Sequence, residues 1–71
     1  MNVTIYKNNP ILAKTYLNYN GIIDAFVWKE GRGEWQVLEG KSAELTGFVA
    51  DTFKTKREAL KLRDEINLFI T

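Results

Sequence analysis

Apolar residues alternate with polar ones on both sides of a Gly-Arg-Gly punctuation at residues 31–33. A period of two is the mark of a half-buried strand, and glycines between two such runs mark a hairpin. The pattern predicts strands over residues 22–30 and 34–39. With Gly31 and Arg32 as the central pair of a type II′ turn, Lys29 faces Glu34, Trp28 faces Trp35 and Phe26 faces Val37. This register sets two tryptophans directly opposite each other and pairs opposite charges beside the turn, both favourable cross-strand contacts. One sheet face then carries Phe26, Trp28, Trp35 and Val37. The other carries Ile23, Ala25, Val27, Lys29, Gln36 and Leu38.

A third strand is predicted from Leu45 or Gly47 to Phe53, antiparallel to the second because the link over residues 40–44 is short. At the amino end, Val3 and Ile5 alternate with Thr4 and Tyr6 as in a strand. Residues 11–17 read either as a strand, favoured by Thr15 and Tyr16, or as a helix with Pro10 at its first position. We take the strand reading.

The period changes to that of a helix over residues 55–70. Ala59, Leu62, Ile66, Phe69 and Ile70 share one stripe, while Leu68 points nearly opposite. Thr55 followed by Glu58 is a capping box, with the Glu reaching back to the Thr amide. The expected fold is therefore α+β: an antiparallel sheet of three to five short strands with one carboxy-terminal helix packed on one face, in a single domain over residues 1–71.

Composition narrows the chemistry. The 71 residues include no cysteine and no histidine, so disulfides, thiolate metal sites and the commonest general base are all absent. The nine acidic residues form no paired constellation. We expect no enzyme activity, no cofactor and no metal. The amino terminus lacks an apolar leader run, and no segment is apolar enough to span a bilayer, so the expected setting is the cytoplasm, with no membrane partner.

Net charge is +1, but it is unevenly spread: residues 1–53 carry five basic and six acidic groups, and residues 54–71 carry five basic and three acidic ones. Lys54, Lys56 and Arg57 stand at the start of the predicted helix, where the partial positive charge of a helix end repels cations. Cations in that place are consistent with long side chains reaching into solvent, or with an anion site.

The stretch TFKTKREALKLRDEI, within residues 51–66, resembles the close of the arm-type DNA-binding domain of phage and transposon tyrosine integrases. In that family a three-stranded sheet ends in an aromatic residue, and Thr, Lys, a basic residue, Glu and Ala open one helix. Phe53, Thr55, Lys56, Arg57, Glu58 and Ala59 hold those places here. The resemblance implies a sheet lying in the major groove of double-stranded DNA. Lys29, Gln36 and Thr52 would face the bases, Arg32 would sit at the hairpin tip, and Lys54, Lys56 and Arg57 would meet phosphates. It further implies a stand-alone binding module of phage or mobile-element type. The alternative is a protein-interaction module, a homodimer or a phage-encoded modulator of a host protein, using an apolar outer face of Ile23, Ala25, Val27 and Leu38.

Overall fold

The computed structural model describes residues 10–70. Their order is α1 (Pro10–Tyr19), β1 (Asp24–Gly31), β2 (Glu34–Lys41), a 3-10 turn (Ser42–Glu44), β3 (Thr46–Phe53) and α2 (Lys56–Ile70). The strands form one antiparallel sheet in the order β1-β2-β3. Both helices contribute to a core on one face, made of Ala13 and Leu17 of α1, Ala25, Val37 and Ala50 of the sheet, Ala59, Leu62 and Ile66 of α2, and Ile22. The α+β class and the carboxy-terminal helix are as the sequence predicts, with three strands among the described residues. The expected strand over residues 3–6 lies outside them.

Residues 11–17 are helical, not extended. Pro10 at the first helical position lacks only an N–H that would be unpaired there anyway. Ala13 and Leu17, four apart, bury the same face against α2. Thr15, the residue that favoured a strand, donates its hydroxyl to the Ile11 carbonyl one turn back, at 3.0 Å. Packing overrides propensity. The helix ends in a Schellman motif: Ile22 N–H donates to the Leu17 carbonyl at 3.0 Å and Gly21 N–H to that of Asn18 at 3.2 Å. Gly21 takes the left-handed conformation this needs, with φ of 64°. Leu17 and Ile22, the hydrophobic pair of the motif, are both buried.

The hairpin differs from the expected one by one residue. Gly31 pairs with Glu34, so Arg32 and Gly33 are the central pair, and Gly33 carries the positive φ of 67°. A bulge between Lys29 and Gly31 then sets Lys29 opposite Trp35, Trp28 opposite Gln36, Val27 opposite Val37 and Phe26 opposite Leu38. A slip of one residue reverses every side chain of a strand. Ala25 and Val27 therefore point to the helices, and Phe26 and Trp28 point away. The helix layer explains the choice: Ala25 is 4% exposed beneath α2, where its small side chain lets Asn67 reach the backbone. Asn67 accepts from Ala25 N–H through Oδ1 at 2.8 Å and donates to its carbonyl at 3.2 Å. That pair of hydrogen bonds occupies backbone groups on an edge strand that would otherwise invite another strand.

Thr55 caps α2. Its hydroxyl accepts from Glu58 N–H at 3.4 Å and donates to the Glu58 carboxylate at 2.8 Å. The Glu thus meets the Thr hydroxyl rather than the Thr amide. Ala59, Leu62 and Ile66 are buried along the predicted stripe, Phe69 and Ile70 pack beside them, and Leu68 is exposed.

Candidate functional site

Two surfaces contain the residues singled out by the sequence. The first is the sheet face turned away from the helices. Strand pairing arranges it in three rows across β1, β2 and β3: Trp28, Gln36 and Thr52; Phe26, Leu38 and Val49; Asp24, Gly40 and Gly47. Gln36 and Thr52 lie on it as expected, directly opposite each other. Lys29 does not: it belongs to the inner row with Trp35 and Phe53. Ala25 and Val27 are likewise not on the outer face, since the register shift turns the first into the core and packs the second against it. Of the expected apolar outer set, Leu38 remains in the middle row, and Ile23, 61% exposed, precedes β1.

Phe26, Trp28 and Val49 were missed as outer-face residues. For Phe26 and Trp28 the signal is the second glycine of the hairpin, which can take a positive φ as readily as the first; Val49 is placed by the register shift between β2 and β3 at Val37 and Leu38. Trp28 is 44% exposed and Val49 48%, while Phe26 and Leu38 are half-buried among their neighbours. None of the three outer rows contains Lys or Arg. The carboxylate of Asp24 is held by the 3-10 turn, accepting from Ser42 N–H at 2.8 Å and from the Ser42 hydroxyl.

The second surface is the end of the molecule where the hairpin tip, the close of β3 and the start of α2 meet. A side chain at Gly33 would stand 4.0 Å from the Lys54 carbonyl, which places Arg32 and Lys54 on neighbouring segments. Residues 28–35 and 53–58 bring five cations (Lys29, Arg32, Lys54, Lys56 and Arg57) together with Glu30, Glu34 and Glu58, for a net charge of +2. Two of these cations have a structural partner. Lys29 Nζ lies 5.3 Å and Lys56 Nζ 5.7 Å from the centre of the half-buried Trp35 ring, within cation–π range. Arg32, Lys54 and Arg57 are exposed and enter no ion pair among the described residues, where Arg63 with Asp64 forms the one salt bridge.

Among the described residues the opposite end carries fewer cations. Residues 19–26 and 38–48 carry Asp24, Glu39 and Glu44 against Lys41, a net of −2. Glu39 is buried at 1% exposure on the inner face. Burial raises the Tyr16 phenol above its usual 10.0, and the charge of Glu39 raises it further. An open cleft at this end, about 390 Å³, is lined by Gly21, Gly40, Lys41, Glu44, Gly47 and Phe48 among others. Lys41 and Glu44 are its ionisable groups, and both are exposed to water. Among the described residues no cluster of His, Cys, Asp or Glu is placed to hold a metal, and no helix is long and apolar enough to cross a membrane.

No family model, curated protein or solved structure matches this chain. The integrase-like stretch therefore stands alone, and the functional reading rests on the two surfaces.

Proposed function

We propose that this chain is a cytoplasmic, non-enzymatic interaction module that docks a protein surface onto the outer face of its sheet. The observation that carries this reading is the row of Phe26, Leu38 and Val49 beside a half-exposed Trp28, with no cation in any of the three rows. Contiguous apolar surface on a small protein marks an interface, and a partly exposed Trp is the residue type that anchors one. The same face is poorly suited to lie in a DNA groove. Most protein–DNA contacts go to phosphates and draw on Lys and Arg, which this face lacks.

The test is a photo-crosslinking residue at position 38, with position 61 on the exposed side of α2 as control, in cells expressing the chain. The expected result is a defined crosslinked product from position 38 and none from 61. Silence at both positions would remove the reading.

A second reading is favoured by the basic end: a DNA-binding module of phage or mobile-element type, as the integrase resemblance implies, contacting phosphates through Arg32, Lys54 and Arg57. Duplex DNA binding should then weaken steeply with salt. Lys54→Gln with Arg57→Gln should flatten the slope by up to about two units, one for each lost phosphate contact. Absence of salt-sensitive affinity at low ionic strength would eliminate it.

A further inference from the structure

We infer that the free edge of β3, from Thr46 to Val49, binds an extended segment of another protein as a fourth strand, with an aromatic residue of that segment over Gly47. This goes beyond the docking reading above: it uses backbone groups at the side of the sheet, whatever covers the outer face.

The strand pairing determines which groups are free. Ala25 turns its N–H and carbonyl outward to Asn67, so it does not bond across to Glu39, its opposite residue on β2. Bonded and non-bonded pairs alternate along each antiparallel ladder, and a residue that does not bond to one neighbouring strand bonds to the other. Glu39 therefore bonds to Phe48. Gly47 and Val49, on either side of Phe48, direct their N–H and carbonyl groups away from the sheet. Both residues are exposed, and among the described residues no further backbone group pairs with them.

The rest of the sheet edge is closed. On β1, Asn67 occupies Ala25, and α2 packs against the strand. Further along β3, a bulge leaves Ala50 without an opposite residue, and the Asp51 carboxylate accepts from Thr52 N–H at 2.7 Å. Contacts and bulges of this kind, or charges and proline, are how an edge is kept from recruiting strands. Residues 45–50, Leu-Thr-Gly-Phe-Val-Ala, have neither charge nor proline, and Leu45 and Phe48 are exposed.

These residues specify the occupant. An extended backbone supplies donors and acceptors at the spacing of Gly47 and Val49. Main-chain bonds of that kind give affinity, and alternate side chains give specificity. Opposite Phe48, 70% exposed on the helix side of the sheet, the segment needs an apolar residue. Opposite Val49, an apolar residue extends the outer row of Phe26, Leu38 and Val49. Opposite Gly47, the neighbouring Gly40 is bare as well, and an aromatic ring laid over an edge glycine is the contact that covers such a gap. The expected segment is three successive apolar residues, of which the one over Gly47 is aromatic. A second copy of β3 does not meet this: paired about Phe48, it sets Val49 over Gly47.

The probe is a library of short random linear peptides displayed on phage and selected on the complete chain. A selected peptide is then synthesised and titrated into isotope-labelled protein. Binders should share an aromatic residue two places from an apolar one. With peptide at about ten times its Kd, amide exchange at Gly47 and Val49 should slow by about tenfold. Ala25, already bonded to Asn67, should not change. Val49→Pro removes an N–H that the sheet does not use, and should weaken binding by about tenfold or more, as expected for a lost hydrogen bond. Should the proline unfold the strand, the peptide carries the same test. Only alternate N–H groups of an added strand face β3, so N-methylation at one set of alternate residues should abolish binding and at the other set leave it unchanged. An absence of binders, or binders with no shared aromatic, overturns the inference. So does a peptide that leaves the Gly47 and Val49 amides exchanging freely, or one that tolerates N-methylation at both sets. Crosslinking from position 38 does not depend on these amides, so the docking reading and this one can fail separately.

Discussion

Lys56, in the first turn of α2, holds its ammonium 5.7 Å from the centre of the Trp35 ring on β2. The contact explains a cation where the helix dipole disfavours one: the ring's negative face offsets the repulsion. Arg57, its neighbour, has no such partner. Arg57→Gln should therefore raise stability by about 0.3–1 kcal/mol, the cost of a cation at that end. Lys56→Gln should change it little, because losing about 0.5–1 kcal/mol of cation–π attraction cancels the gain. Chemical denaturation of the two variants side by side tests this, and equal gains would show that the ring contact contributes nothing.

The Thr55 cap is the next expectation. Thr55→Ala removes the acceptor of Glu58 N–H and the donor to its carboxylate. It should cost about 0.5–2 kcal/mol, and Thr55→Ser should recover most of that. A midpoint that Ala leaves in place would show that the helix does not depend on this cap.

Gly40 and Gly47 face each other where β2 and β3 come close. A Cβ on Gly40 would stand 2.3 Å from the Thr46 carbonyl oxygen and 2.5 Å from Gly47 Cα, both backbone atoms. The strands would have to part, so Gly40→Ala should cost at least the roughly 1–3 kcal/mol of an overpacked site. Gly21→Ala provides the contrast. It meets open space and bears only the left-handed backbone strain of about 1–2 kcal/mol. Thermal denaturation should rank Gly40→Ala as the more damaging, and the reverse order would mean that the strands separate easily.

Tyr16 gives a pH dependence. Its folded pKa is raised above the usual 10.0, by burial first and by Glu39 second. The native state therefore holds the phenol proton more tightly than the unfolded chain does. The stabilisation is complete below pH 10 and is lost as pH rises through the folded pKa. Tyr16→Phe should flatten this alkaline loss of stability. In the wild type, ultraviolet titration should show a tyrosine ionising above the usual 10.0 that is missing from Tyr16→Phe. Identical alkaline profiles for the two proteins would contradict the assignment.

Much of the fold was legible because periodicity reports burial directly. The α2 stripe, its cap and the second and third strands follow from residue spacing alone. Residues 11–17 did not, because Thr15 and Tyr16 suit both states and the decision belongs to Ala13 and Leu17 meeting α2. The functional face was misread through one turn. Gly31 and Gly33 both tolerate positive φ, and local sequence cannot choose between them. Asn67, forty-two residues along the chain from Ala25, helps fix which side of β1 faces inward. A long-range amide contact of this kind leaves no local trace. It moved Phe26 and Trp28 onto the candidate surface and took Ala25, Val27 and Lys29 off it.

That reversal predicts unequal tryptophans. Trp35 packs against the core between Lys29 and Lys56, whereas Trp28 stands on the outer face beside Gln36 at 44% exposure. Trp35→Ala should cost about 3 kcal/mol, the low end for a large aromatic that is packed but not fully enclosed. In a domain of this size that is a large part of the total stability. Trp28→Ala should cost about 1 kcal/mol, the scale of a cross-strand pair. Fluorescence separates the two without relying on stability. Trp35→Phe leaves Trp28 as the sole emitter, which should be red-shifted and readily quenched by acrylamide. Trp28→Phe leaves Trp35, which should emit further to the blue and be quenched less. Two tryptophans of equal accessibility would restore the face-to-face pairing that the alternation first suggested, and with it an outer face of Ile23, Ala25, Val27 and Lys29.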